Sequence, residues 1–357
     1  MLKKRGIVSI LLINLCFTVL GGTVLELIFG NWIHADNLNR LNIIRSRCIE
    51  YETRGLYDTA PTTSIYTRDQ YGLRGSFERP SEIDILTVGG STTDQRYITD
   101  GQTWQDVIQH RFQSIGKKVI LANAGIDGQS TLGHIKNFEW WFPHIPNLKP
   151  RFVLFYVGLN DFYRDEDRHY DSITDQENGF LRNLLREKSA IYHLIRTLHG
   201  MYQAEVVYGI GHKRVDFSKV EWTTVPQQDS YDLLMDGRLK NYDRRLNILI
   251  SRTQEFGSTS VFVTQPSRRY RIRNGRVEGV TDKLNNTAPI NGVDYYYIMK
   301  RFNEVAMSVS MRNGIVCLDM ASETVWEDAD FYDLSHMTPR GAHKVGDYLF
   351  ERLKEEF

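Results

Sequence analysis

The sequence predicts an α/β protein: a five-stranded parallel sheet covered by helices on both faces, preceded by an N-terminal transmembrane helix. Two patterns point to the sheet. Short apolar runs rich in β-branched residues alternate with segments of helical period, and polar, glycine-marked loops follow the runs. The third pattern is a charge-free stretch from Gly6 to Leu25, directly behind Lys3, Lys4 and Arg5.

Residues 1–33 read as a membrane anchor or an uncleaved signal. A spanning helix needs about 20 apolar residues, and the run reaches that length when carried through Glu26 to Ile33, with Trp32 as an interfacial ring. No small-x-small cleavage site follows the apolar core cleanly, and Leu15 before Cys16 does not suit a processed lipoprotein cysteine. The basic flank holds the N-terminus in the cytoplasm. The rest of the chain is then expected in the periplasm, a lumen or the exterior. Residues 34–80 mix charges, tyrosines and turn formers without a strong period, and read as a juxtamembrane lead-in with no chemistry of its own.

The α/β domain spans residues 81–357. Its strands are expected at 83–88, 119–122, 152–157, 260–264 and 315–320. Between them, apolar stripes mark helices: Trp104, Val107, Ile108, Phe112 and Ile115; then Leu239, Tyr242, Leu246, Leu249, Ile250 and Phe256. Ile298, Phe302, Val305 and Val309 form a third stripe. The last runs through Ala342, Val345, Leu349 and Leu353, with Thr338 as N-cap and Pro339 in the first turn. An insertion at 162–230 carries one helix-like segment, 181–198, and its size over a sheet edge suggests a lid or substrate wall.

Composition excludes several classes. With 357 residues, 41% of them apolar and 25% charged, the chain can bury a core and is not a disordered one. Lys+Arg and Asp+Glu are 44 each, so no sequence-wide positive field draws it to nucleic acid. Cys16, Cys48 and Cys317 are too scattered for a disulfide framework or a zinc cluster. No metal-ligand spacing, phosphate-cradling loop or dinucleotide fingerprint occurs, and neither metal nor cofactor is expected.

In open α/β sheets the site lies beyond the carboxyl ends of the strands. The loops there read Gly89-Gly90-Ser91-Thr92-Thr93, then Asn123 to Gly128, then Gly158-Leu159-Asn160-Asp161, and finally Asp333-Leu334-Ser335-His336 before the last helix. Ser91 is the candidate nucleophile, because two preceding glycines let the backbone turn sharply and leave the hydroxyl unshielded. A serine hydroxyl needs a base. His336 is the candidate base, and Asp333, three residues earlier, the group that fixes its tautomer, with Asp161 and Asp319 as rivals. Backbone N–H groups of Ser91 and Gly128 and the Asn160 amide are candidate oxyanion donors, with Gly125 a rival to Gly128. The order Ser, Asp, His also suits an α/β-hydrolase, but that elbow demands Gly where Thr93 stands.

These four blocks, in order and at the predicted strand ends, resemble the SGNH (GDSL-type) hydrolase superfamily over residues 81 to the C-terminus. One departure is the Gly-Gly-Ser of the first block, where the family reads Gly-Asp-Ser. The resemblance implies a flavodoxin-like three-layer fold, with Ser91, Asp333 and His336 as triad and Ser91, Gly128 and Asn160 as oxyanion hole. It implies a serine esterase whose expected partner is an acylated small molecule or polysaccharide, most of all an O-acetylated carbohydrate. An O-acyltransferase, in which a sugar hydroxyl replaces water, and a non-catalytic binding component of envelope polysaccharide assembly are the alternatives.

Other features are read more plainly. Arg268, Arg269, Arg271, Arg273 and Arg276 could grip an anionic polysaccharide but read first as a solvated loop. Trp140 and Trp141 read as packing before sugar stacking, and His343 as structural. Asn285-Asn286-Thr287 is a formal glycosylation sequon.

Overall fold

Each apolar run that the sequence marks as a strand of the sheet is one, and all five pair in parallel. The computed structural model describes residues 2–33, 38, 41, 43–58, 62–162, 180–202, 212–281 and 289–357. In chain order the elements are α1 (Leu2–Phe29), β1 (Arg47–Glu52), β2 (Thr63–Arg68), β3 (Ile85–Gly89), α2 (Ser91–Asp94), α3 (Trp104–Ser114), β4 (Leu121–Asn123), α4 (Thr131–Trp140) and β5 (Phe152–Tyr156). They continue with α5 (Phe180–Lys188), α6 (Ala190–Tyr202), β6 (Trp222–Thr223), α7 (Asp232–Glu255), β7 (Thr259–Val263), β8 (Tyr270–Arg273), β9 (Arg276–Val280), α8 (Gly292–Arg312), β10 (Val316–Leu318), α9 (Met320–Glu323) and α10 (Pro339–Leu353).

The sheet runs β4-β3-β5-β7-β10. Counted along the chain, the sheet's strands thus lie in the order 2-1-3-4-5, the doubly wound arrangement in which connections diverge between the first and third strands. That divergence puts the crevice beyond the ends of β3 and β5. Both strands are buried at every position because helices cover both faces, which is why they read as unbroken apolar runs. Ile85, Leu154, Tyr156 and Val263 face a core built with Trp104, Phe112, Val345 and Leu349 of α3 and α10. Alternate residues face the other way: the Phe155 ring lies 5.0 Å from Phe262 and 6.3 Å from Phe138 of α4. The caps hold the helices in register with this sheet. Thr103 and Asp106 make a reciprocal capping box on α3, and Thr338 caps α10 as its sequence predicts.

The chain divides into two units, Met1–Asn42 with Thr174–Gly211, and Ile43–Ile173 with His212–Phe357. The first contains α1, α5 and α6. Residues Ile10–Phe29 of α1 form a candidate membrane span of mean hydropathy 2.0, none of it buried. Glu26 reaches from this helix to α6, accepting hydrogen bonds from Ser189 Oγ (2.5 Å) and from the backbone N–H groups of Ala190 (3.0 Å) and Ile191 (3.1 Å). Of the segment expected as a lid or wall, α6 thus packs with α1, and the helix-like segment 181–198 is split at Ser189 into two.

The second unit contains the sheet and two additions that the sequence reading did not find. β1 and β2 pair as an antiparallel hairpin within the lead-in. β6, β9 and β8 form a three-stranded antiparallel sheet, with the arginine-rich segment as the β8–β9 hairpin. Its turn, Asn274-Gly275, has positive φ at both residues, the signature of a tight hairpin turn.

Candidate active site

Ser91 begins α2 directly after β3, so its side chain stands at the sheet's carboxyl edge. Glycine at 90 is required by close approach: a Cβ there would lie 2.3 Å from Nδ2 of Asn160. The two glycines therefore bring the Asn160 amide against the nucleophile loop as well as turning the chain. Gly125 meets the same loop from the other side, where a Cβ would fall 2.4 Å from the Asp94 backbone nitrogen.

His336 Nε2 lies 2.7 Å from Ser91 Oγ, and His336 Nδ1 lies 2.7 Å from Asp333 Oδ2. Because a carboxylate only accepts, the proton belongs on Nδ1, and Nε2 is left to accept from the serine hydroxyl. Asp333 is held by its own loop: Oδ1 also accepts from the backbone N–H groups of Ser335 (2.8 Å) and His336 (2.6 Å). Burial would raise the Asp333 pKa, but the His336 charge and these hydrogen bonds outweigh it and lower it. For His336, burial pulls the pKa down while Asp333, and Asp127 beyond it, push it up; the net is a rise above the ordinary imidazole value. The Tyr332 ring stacks nearly parallel to His336, 5.7 Å away at 11°.

Asn160 donates one amide hydrogen to the Gln129 carbonyl at 2.9 Å, which fixes the amide plane and leaves its second hydrogen. Gly128 sits at the turn of its loop with φ 72°. The N–H of its rival, Gly125, is already given to Asn123 Oδ1 at 2.8 Å. The rival acids are likewise engaged elsewhere. Asp161 is buried with Thr131 and Arg245, and Asp319 takes the Thr264 hydroxyl at 2.8 Å. His212, Asp333 and His336 bring ligating atoms within 4.8 Å of one another. Two ligands of one tetrahedral ion bonded at about 2.0–2.1 Å stand roughly 3.3 Å apart, so the 2.7 Å His336–Asp333 contact has hydrogen-bond length instead.

Several residues near the site escaped the sequence reading. Arg68, at the end of β2, is fully buried and donates to the carbonyls of Gly72 (2.8 Å), Asn123 (2.9 Å) and Gly125 (2.6 Å), to the Tyr66 hydroxyl (2.7 Å) and to Asp94. Arg74 donates to the carbonyls of Asp94 (2.8 Å), Gln95 (3.0 Å) and Ile98 (2.5 Å). The lead-in thus braces the loops after β3 and β4. No sequence signal marks it: Ser64, Tyr66 and Arg68 alternate on the buried side of β2, but none of the three is an aliphatic residue that would announce a buried face. His212, inside the insertion, places its ring 4.3 Å from that of His336.

Of the plainer features, Trp141 is wholly buried with its indole N–H on the Tyr71 carbonyl at 2.7 Å, and Trp140 is also buried. Arg268 pairs with Asp328, and Arg271 with Glu278 at 2.6 Å. His343 is exposed on α10 beside Asp347. The sequon at 285–287 lies outside the described residues.

A five-stranded 2-1-3-4-5 sheet with serine, histidine and aspartate linked at its carboxyl edge defines a class, the SGNH-type hydrolases. Residues 85–349 match the family described as GDSL-like Lipase/Acylhydrolase, and the chain belongs to that family. No curated protein matches the sequence. Among solved structures, the chain is similar to an acetyl xylan esterase from Geobacillus stearothermophilus, at 13% identity over 79% of this chain and 95% of that one, with a TM-score of 0.41. It is also similar to a psychrotrophic esterase from Pseudoalteromonas sp., at 12% identity over 76% and 96%, with a TM-score of 0.42.

Proposed function

We propose that this esterase is held at a membrane by α1 and removes O-acyl groups, above all O-acetyl groups, from a carbohydrate on the extracytoplasmic side. The observation that carries the chemistry is the hydrogen-bonded chain from Ser91 Oγ through His336 to Asp333, at 2.7 Å for each link. In this reading His336 takes the Ser91 proton as the oxygen bonds to the acyl carbon. The oxyanion is received by the N–H groups of Ser91 and Gly128 and by the Asn160 amide. His336 then protonates the alcohol as its C–O bond breaks. Water attacks the acyl-enzyme, gives its proton to His336 and releases the acid, and the proton returns to Ser91.

Retention of α1 is supported by the Glu26 clamp. The same carboxylate that lies in the apolar helix satisfies the first turn of α6, so cleavage after residue 26 would leave those donors bare. The carbohydrate rests on the family and on the exported location that the basic flank predicts.

A fluorophosphonate probe tests the chemistry. Labelling of the full chain that vanishes in Ser91→Ala is the expected result, and no labelling of folded wild type overturns it. Mass analysis of acetylated glycans incubated with the enzyme, with and without a sugar acceptor, then reads hydrolysis against transfer. An N-terminal tag that remains on the membrane-bound chain is the result expected for the anchor.

A further inference from the structure

A cleft open to solvent is lined by Ser91 and His336 together with Arg96, Tyr97, Asp127 and His212. The charged groups that line it with the nucleophile are short of hydrogen bonds. Charge-assisted bonds run at about 2.7–2.9 Å, yet the Arg96 guanidinium stands 3.4 Å from Asp127 and 3.7 Å from Asp94, and its Nε is sealed from water without a partner. Among the described residues, none stands at that length from the Asp127 carboxylate. Besides Arg96 its neighbour is His212 Nε2, at 3.9 Å. Its side chain stays 32% exposed, into the cleft. Arg68, which shares Asp94 with Arg96, makes five hydrogen bonds by contrast.

Buried or half-buried charges are ordinarily bonded to capacity. Here a donor, an acceptor and a second donor stand together unfilled beside the nucleophile. His212 Nδ1 is 2.7 Å from the Tyr332 hydroxyl; with that hydroxyl donating, Nε2 carries its hydrogen toward Asp127. Burial would raise the Asp127 pKa, but His212 and Arg96 prevail and hold it ionised, so it can only accept.

The sign of the local charge selects the ligand. Asp94 and Asp127 balance Arg68 and Arg96, leaving no net positive charge for a carboxylate or phosphate, which would also meet Asp127. A hydroxyl fits both kinds of partner, since it accepts from Arg96 or His212 and donates to Asp127. Tyr97, its ring 4.8 Å from that of His212, offers an apolar surface to carbon-bound hydrogens. We infer that Arg96, Asp127 and His212 form a subsite for adjacent hydroxyls of a neutral, polyhydroxylated alcohol, the part of the substrate that leaves when Ser91 is acylated. This rests on the esterase reading above.

The test compares 6-O-acetylglucose with cyclohexyl acetate, an ester with a six-membered ring and no hydroxyls. Wild type is expected to favour the sugar ester in kcat/KM, and Asp127→Asn and His212→Gln to cut that preference by about 10-fold or more, mainly through KM. Glucose is expected to compete with p-nitrophenyl acetate in wild type and to lose that competition in Asp127→Glu, which keeps the charge and displaces it. A wild type indifferent to the hydroxyls, or a preference unchanged in both variants, overturns the subsite. Should folded wild type cleave neither ester, calorimetry with 6-O-acetylglucose separates the two claims. Binding that Asp127→Asn weakens retains the subsite while the esterase reading falls, and no binding overturns both.

Discussion

Two aspartates act on His336, and they are bonded in opposite ways. Asp333 accepts three hydrogen bonds, two from its own loop's backbone and one from the imidazole, all at 2.6–2.8 Å. Asp127 has no such partner at that length, with Arg96 at 3.4 Å and His212 Nε2 at 3.9 Å. Both push the His336 pKa up, so electrostatics alone does not tell them apart. Saturation does. A carboxylate whose lone pairs are committed orients what it touches, and one with open lone pairs in a cleft is free to meet a ligand.

The largest effect expected from this contrast is on turnover. Asp333→Asn removes the acceptor that fixes the imidazole tautomer and should lower kcat by about 10⁴-fold. Asp127→Asn should act on a hydroxyl-free ester far less. Steady-state kinetics on p-nitrophenyl acetate reads both, and equal losses would break the distinction.

Next in size is stability. Arg68 is the saturated counterpart of the open Arg96, and the side chains of Arg68 and Asp94 are each 3% exposed. Arg68→Met strands the Asp94 carboxylate and three loop carbonyls, so a loss of about 3–5 kcal/mol is expected, the cost of breaking a buried pair. Thermal inactivation of the full chain in detergent measures it. Arg68→Lys keeps the charge but not the fork, and should fall between.

Arg68 also marks where the sequence stops being readable. The five strands were legible because a strand buried on both faces must be apolar, and Ile85–Gly89 and Phe152–Tyr156 leave no other reading. Ser91, Asn160, Asp333 and His336 were legible as a group because each closes a strand or opens a helix, and the fold rule says where such loops meet. A buried arginine has no such mark. Arg68 and Arg74 look like surface charges in a lead-in until β2 turns the first inward and a backbone bridge to Asn123 places the second. His212 could not be placed because nothing local ties residue 212 to residue 336. The β8–β9 hairpin was hidden by its arginines, although Asn274-Gly275 announced the turn.

The pH dependence should sharpen the contrast with a smaller effect. His336 must be neutral to accept the Ser91 proton, and its pKa lies above the ordinary 6.5. Activity is therefore expected at high pH and lost as pH falls through that raised value, placing the acid limb of kcat/KM above 6.5. Removing the Asp127 charge withdraws one of the groups that favour the imidazolium. The limb should then move to lower pH in Asp127→Asn, and a limb that stays or rises would mean that Asp127 is not ionised beside His336.

The smallest effect is expected at a third carboxylate, Glu26, which extends the saturation rule to the other unit. It accepts from Trp32 Nε1 (2.8 Å) as well as from Ser189, Ala190 and Ile191, so by the same logic it holds structure and binds nothing. Glu26→Ala removes the cap from α6 and should cost about 1 kcal/mol locally. Glu26→Gln keeps one amide oxygen and should cost less. Faster proteolysis around residue 189, graded Ala over Gln over wild type, is the expected readout, with p-nitrophenyl acetate turnover unchanged. Equal proteolysis in all three would mean that the first turn of α6 does not depend on the apolar helix, and the argument that α1 is retained would lose its support.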